Sequence, residues 1–229
     1  MSVRSIRTTV RDNGLGLFFA GLFLACLVAQ SFAGWQALNS QQATDGLGQL
    51  SWWRYVVSTD FAVDVTENWQ SEFLQFWVYL MATVWLVQRG SPESKKPEEI
   101  GHESDEDQQV REYAADGSPR PARRGGWSLW WYSHSLAWVM GLFFVLSWAA
   151  QSVAGWASYD EDRLRSLQDP VSWPAYLGNA DFWSRTLQNW QSEMLAVGTM
   201  AVLAVFLRHR GSSQSKPVGA SHEATGVDS

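Results

Sequence analysis

Two stretches without a charged side chain are the feature that most constrains what this chain can fold into. They run from Leu15 to Trp35 and from Ser135 to Trp156, which makes them 21 and 22 residues long. A helix of about 20 apolar residues is long enough to cross the hydrocarbon core of a bilayer. Both stretches therefore predict membrane-spanning helices.

Two shorter apolar runs, Phe73–Val87 and Met194–Leu207, fall below this length. Each becomes long enough if its helix begins upstream, near Phe61 and near Phe182, and no Pro or Gly interrupts the sequence from these points to the apolar runs. A helix over residues 61–87 would be roughly 40 Å long at about 1.5 Å per residue. The sequence thus predicts four spans, at about 15–35, 69–88, 135–156 and 190–208.

The first span has an alternative interpretation as a cleaved signal peptide. Arg4, Arg7 and Arg11 form a basic start, and Ser31-Phe32-Ala33 resembles a cleavage site. However, the surrounding Gln-Ser-x-Ala-Gly-Trp pattern recurs at residues 151–156, where no signal peptide can act. We therefore favour an uncleaved span.

Lys and Arg near the span ends predict the orientation, because cytoplasmic loops are enriched in them. The N-terminal tail, the segment 88–126 and the C-terminal tail carry most of these residues, whereas Arg54 alone lies between the first two spans. The loop between the last two spans has three Arg residues diluted by five Asp or Glu residues. We expect a multi-pass plasma-membrane protein with both termini and the middle linker in the cytoplasm.

The two halves of the chain align with a constant offset of 121 residues and no gap. About 26 of the 83 positions from Asn13 to Lys95 are identical to their partners at 134–216. Such self-similarity indicates a repeat architecture. Each copy is predicted to begin and end in the cytoplasm, so both copies have the same orientation in the membrane. An axis along the membrane normal therefore relates them.

The remaining segments are polar. Residues 96–126 are acidic, contain Pro and Gly and have no apolar periodicity, which is typical of disorder. His102, His209 and His222 are scattered in such segments and predict no metal site. The predicted organisation is a cytoplasmic N-terminal tail (1–12), repeat 1 (13–95), a disordered cytoplasmic linker (96–126), repeat 2 (127–216) and a disordered C-terminal tail (217–229).

These motifs resemble those of a family of small bacterial membrane proteins of unknown function, frequent in actinobacteria. The shared features are a duplicated Gln-Ser-x-x-Gly helix end and a duplicated Asn-Trp-Gln-Ser-Glu-Phe-Leu block, which stands here at residues 68–74. Met194 replaces the Phe of this block in the second copy. The resemblance covers nearly the whole chain except the linker and tails. It implies a multi-pass protein of the bacterial inner membrane and no activity.

Together these patterns predict an all-α fold: an integral membrane four-helix bundle of two tandem, parallel helical-hairpin repeats.

The net charge of −6 and the lack of a basic patch argue against a nucleic-acid partner. The single Cys26 lies in an apolar run and excludes an internal disulfide. No nucleotide loop, zinc-protease motif or nucleophile elbow is present, so we expect no enzyme activity, no metal and no cofactor.

A polar group stands near the outer end of each hairpin. On a helix, Asn68 and Glu72 share a face, and we expect them to meet Gln30 and Ser31 of the preceding span. The second copy repeats the set. The candidate polar cluster is Gln30, Ser31, Asn68, Glu72, Gln151, Ser152, Asn189 and Glu193.

Two interpretations of this cluster remain open. In the first, each Glu caps its helix start, favoured by the positive end of the helix dipole, and the amides join neighbouring helices. In the second, Glu72 and Glu193 bind a proton, a cation or a cationic ligand, since carboxylates within a membrane usually face a partner or a cavity.

Gln75, Tyr79 and Thr83 continue the Asn68–Glu72 face inward, but their partners in the second half are Ala196, Met200 and Ala204. A pathway on a two-fold axis needs polar residues from both copies, so we interpret Tyr79 and Thr83 as ordinary residues facing a neighbour. A seam of small residues marks a packing face on the first helix, at Gly21, Ala25, Ala29 and Ala33.

The sequence therefore predicts a structural, interaction or accessory protein of the membrane. Its partners would be the lipid bilayer, other membrane proteins or further copies of itself. The alternative is a small transporter or channel that uses Glu72 and Glu193.

Overall fold

The computed structural model describes residue 8 and residues 10–226, and these residues form helices and turns without a strand. The prediction of an all-α fold is confirmed. Arg4 and Arg7 of the predicted N-terminal tail and the last three residues of the C-terminal tail lie outside the described residues. From Gly14 onward the α-helices are α1 Gly14–Thr44, α2 Trp52–Val56, α3 Thr59–Trp85, α4 Arg120–Arg124, α5 Gly126–Ser133, α6 Ser135–Arg165, α7 Trp173–Leu177 and α8 Ala180–Phe206.

Two helices, α1 and α6, are long and apolar enough to cross a membrane. Each has 31 residues, and their most apolar windows have mean hydropathies of 2.1 and 1.6. In the most apolar 18-residue stretch of each helix, only 6% (α1) and 22% (α6) is buried within the protein. Most of their apolar surface is thus free to face a lipid environment or a partner.

Helices α3 and α8 have 27 residues each and begin at Thr59 and Ala180. These starts lie upstream of the apolar runs and close to Phe61 and Phe182, as a membrane-crossing length requires. At about 1.5 Å per residue each helix is roughly 40 Å long. That both cross a membrane stays a prediction.

The chain consists of two compact units, residues 1–64 and residues 65–229. In the first unit α2 packs on the end of α1, and Tyr55 of α2 is 2% exposed. The reason is local: Gly34 has no side chain, and a Cβ there would stand 2.0 Å from the Tyr55 Oη.

Two indole hydrogen bonds hold the loop after α1. Trp35 Nε1 donates to the Leu50 carbonyl at 2.7 Å, and Trp52 Nε1 donates to Ser31 Oγ at 3.1 Å. The second unit contains the same two bonds 121 residues later, from Trp156 to the Val171 carbonyl at 2.7 Å and from Trp173 to Ser152 Oγ at 3.3 Å. In both halves, the Ser and the Trp of the duplicated motif therefore form hydrogen bonds to the segment that follows their long helix.

Aromatic rings fill the space between α3, α6 and α8 in the second unit. Trp77 stacks on Phe144 at 6.1 Å, and Phe144 stacks on Trp148 at 5.5 Å. Trp148 then meets Trp190 of α8 at 5.7 Å. Gly141 admits the Trp77 indole, because a Cβ there would lie 3.0 Å from its Nε1.

The polar segments contain turns. Short 3-10 helices occur at Pro97–Glu99 and Arg111–Tyr113. Lys216 is 1% exposed, and its ammonium group donates to three backbone carbonyls of the C-terminal tail. The predicted domain boundaries and the disorder of the linker and tail stay predictions.

Candidate functional site

The outer polar residues of the second half form local hydrogen bonds. Ser152 Oγ donates to the Ala149 carbonyl at 2.8 Å, and Asn189 Nδ2 donates to the Arg185 carbonyl at 3.0 Å. Gln151 is 1% exposed, and neither its amide nitrogen nor its amide oxygen has a hydrogen-bond partner among the described residues. No hydrogen bond in this part of the chain joins Gln151 or Ser152 to Asn189 or Glu193.

In the first half Ser31 is buried and donates to the Val28 carbonyl at 2.7 Å, which matches the local bond of Ser152. Gln30, Asn68 and Glu72 are exposed. That the Gln-Ser and Asn-Glu pairs assemble into two equivalent clusters stays a prediction.

The interpretation of Glu72 and Glu193 as helix caps is wrong. Each stands thirteen residues after the first residue of its helix, Thr59 or Ala180. The helix dipole acts within the first turn, so it cannot hold either carboxylate. At the start of α8 this role falls instead to Asn179, whose side chain accepts a hydrogen bond from the Asp181 amide at 2.9 Å.

Side chains of α3 and α8 meet at successive levels. Arg185 pairs with Glu67 at 3.4 Å, and one turn further Trp190 Nε1 donates to Gln70 Oε1 at 2.7 Å. Beyond these contacts, Glu72 and Glu193 lie close enough for their charges to interact. Residue numbers rise together along both helices, which is the pattern of parallel neighbours.

Arg185 is held by two carboxylates. Besides Glu67 it pairs with Asp181, one turn earlier in α8, at 3.3 Å. Burial opposes the guanidinium charge, but the two carboxylates outweigh it and raise the pKa of Arg185. The α3–α8 contact thus starts with an ion-pair network and continues with a partly buried hydrogen bond.

Beyond Glu72 and Glu193 an open cavity of about 590 Å³ lies between the two helices and the segments that follow them. Its walls are four pairs of positions 121 residues apart. The pairs are Gln75 with Ala196, Phe76 with Val197, Tyr79 with Met200, and Glu93 with Gln214. The cavity therefore lies between equivalent faces of the two halves, with polar groups mainly on the side of the first half.

Tyr79 and Glu93 stand at the polar end of this cavity. The Tyr79 hydroxyl donates to Glu93 Oε2 at 2.8 Å. Both residues also line a second cavity of about 220 Å³, together with Thr83 and other residues. Gln75, Tyr79 and Thr83 thus border these two cavities, across from residues of α8 such as Ala196 and Ala201.

Sequence reasoning missed Glu93 because it lies in the polar segment after the apolar run, where a charge is usually solvated. The signal that could have found this site is the polar face itself, at four-residue spacing and present in one half only. The described residues contain no group of three or more His, Cys, Asp or Glu side chains arranged to hold a metal ion.

Two equivalent tyrosines support the short helices α2 and α7. Burial, followed by the charges of Asp64 and Asp60, raises the pKa of Tyr55 to about 12. Tyr176 is 1% exposed and donates to Asp181 Oδ2 at 3.0 Å. Its pKa is likewise raised, by burial and then by Asp181.

These features define the class of the protein: the described residues are all-helical, and two of their helices are long and apolar enough to cross a membrane. The chain belongs to a family defined by a domain of unknown function (DUF6766), whose family model matches residues 6–227. A search of the curated proteins finds no match. A search of the solved structures finds none either.

Proposed function

We propose that this protein is a four-span integral component of the bacterial plasma membrane, built from two tandem parallel hairpins with both termini in the cytoplasm. Its role is structural: it organises or accompanies other membrane proteins, or further copies of itself. The observation that carries the proposal is the 121-residue spacing of the long helices, 14–44 with 135–165 and 59–85 with 180–206.

The hydrogen bonds support the tandem hairpins. Both indole bonds of the first loop recur in the second, and the turns after the long helices also correspond. The Gln88 amide donates to Ser94 Oγ at 2.9 Å, and the His209 amide donates to Ser215 Oγ at 2.9 Å. Equivalent side chains making equivalent bonds favour a duplication over chance similarity.

Most polar side chains near the membrane-compatible helices support a structural role, because they fasten the chain to itself. The serines bond to helix carbonyls, the indoles bond to loops, and Arg185 with Gln70 joins α3 to α8. Polar groups of this kind hold membrane helices together.

A transporter or channel is the second candidate, and Glu72 with Glu193 favours it. Neither carboxylate has an ion pair or hydrogen bond among the described residues, although the two lie within electrostatic reach of each other. An unpaired carboxylate in a membrane is costly unless it faces water or a ligand.

Cysteine accessibility tests the topology. On a Cys26→Ser background, single cysteines replacing Asp45 and Ser166 should react with a membrane-impermeant thiol reagent in intact cells. A cysteine replacing Asp105 should react only after the cells are opened. Labelling of position 105 from outside would refute the orientation, and cleavage after Ala33 would refute the first span.

Charge removal separates the two candidate roles. In the structural role, Glu72→Gln and Glu193→Gln should leave folding and ion flux in proteoliposomes unchanged, because neither carboxylate holds another group. Glu67→Gln is the matched control, since it breaks the ion pair to Arg185. An ion-dependent flux that disappears in both Gln variants would establish the transporter instead.

A further inference from the structure

The cavity between α3 and α8 has two equivalent walls of unlike chemistry. The wall from the first half has an amide and a phenol on α3 and a carboxylate in the segment after it. The wall from the second half has Ala196, Met200 and Gln214 at the same positions. The space between the two walls is about 590 Å³, within the range of roughly 300–1,000 Å³ that is typical of sites for small organic ligands.

Several hydrogen-bonding groups on the two walls make no hydrogen bond among the described residues. Glu93 Oε2 accepts the hydrogen bond from the Tyr79 hydroxyl, but Glu93 Oε1 has no hydrogen bond or ion pair among the described residues. The side-chain amides of Gln75 and Gln214 likewise make no hydrogen bond within this part of the chain. Three acceptor oxygens therefore border one cavity, and the Tyr79 hydroxyl fixes the position of the charged one.

The cavity has a negative charge without a protein cation. None of the eight described residues that line it is Lys or Arg. Lys95, two residues from Glu93, is directed elsewhere, to Glu103 at 2.8 Å and to the Gly101 carbonyl at 2.9 Å. The complementary ligand thus supplies the positive charge itself.

The rest of the lining is apolar. Phe76, Val197 and Met200 face the ligand space, and an aromatic ring near a carboxylate also attracts a cation through its π-face. We propose that this cavity binds a small organic cation, a protonated primary amine with an apolar body. Its ammonium group donates to Glu93 Oε1 and to the amide oxygens of Gln75 and Gln214. This site goes beyond the structural role proposed above and does not depend on it.

Calorimetric titration of the detergent-solubilised full-length protein with phenethylamine tests the proposal, at a pH where the amine is protonated. The neutral analogue 2-phenylethanol has nearly the same shape and should bind at least about tenfold more weakly, because a hydrogen bond to a charged group is typically worth a factor of ten or more. Equal affinity for the alcohol would refute the charge recognition.

Glu93→Gln places in the first half the residue that the second half already has at this position. It should weaken phenethylamine binding about tenfold to a hundredfold. Glu99→Gln is the matched control, since Glu99 lies in the same segment but pairs with Lys96 at 3.3 Å, outside the cavity. Unchanged affinity in Glu93→Gln, or an equal loss in Glu99→Gln, would overturn the assignment.

A second variant tests the cavity without altering any charge. Ala196→Leu adds three carbon atoms to the wall opposite Gln75 and should weaken binding by at least about tenfold, since it fills the space that the apolar body occupies. Its thermal unfolding should stay close to that of the wild type, because it enters a cavity rather than a packed core. Undiminished binding would place the amine elsewhere and refute the site.

Discussion

Replacing Gly34 by Ala should destabilise the first hairpin, because the Tyr55 ring occupies the space that a side chain at position 34 would need. The added Cβ would stand 2.0 Å from Tyr55 Oη and 2.8 Å from Cζ. Ordinary van der Waals contact begins at 3.4 Å, so the hydroxyl has to move by about 1.4 Å. Tyr55 is 2% exposed and has little room to do so.

Overpacking of this kind typically costs about 1–3 kcal/mol. For a chain of this length, roughly 2–4 °C of melting temperature corresponds to each kcal/mol. We therefore expect Gly34→Ala to lower the melting temperature in detergent by roughly 2–12 °C, measured by tryptophan fluorescence. Gly16→Ala on the same helix is the control, since a Cβ at Gly16 meets no atom within 4 Å and should cost nothing.

The double variant Gly34→Ala/Tyr55→Phe tests the cause. Phe removes the hydroxyl that collides at 2.0 Å but leaves Cζ at 2.8 Å, so the melting temperature should recover only in part. Equal melting temperatures for the Gly34 and Gly16 variants would refute the reasoning. So would a double variant no more stable than Gly34→Ala.

Three further outcomes follow from individual side chains. Gln151→Leu should raise the melting temperature, because it replaces a buried amide without partners by an apolar group of similar size; a lower value would indicate that a partner satisfies the amide. Stability should fall as pH rises from about 10 to about 12, since Tyr55 ionises in the unfolded chain before it does in the folded one, and Tyr55→Phe should flatten the pH dependence of unfolding. Arg185→Gln should cost less than about 1 kcal/mol in denaturant unfolding, because its ion pairs to Glu67 and Asp181 are partly exposed; a loss of several kcal/mol would contradict this.

The tertiary structure decided which polar residues meet. Sequence periodicity reveals which residues share a face of one helix, but not what that face opposes. The sequence therefore places Tyr79 only on a helix face, whereas the structure places it at a cavity beside Glu93, fourteen residues along the chain. One interpretation of the sequence places Glu72 at a helix start, because the apolar run begins there. The helix begins thirteen residues earlier, at Thr59, because no Pro or Gly between Thr59 and Glu72 ends it.

The sequence by itself determined the helical class, the two helices apolar enough to cross a membrane, and the upstream starts of α3 and α8. It could do so because hydropathy, length and the absence of Pro and Gly are local properties that each segment carries alone. The contact of Tyr55 with Gly34, the pairing of α3 with α8 and the cavity between them join residues about 20 to 120 positions apart. Only folding brings such residues together, so only the tertiary structure decided them.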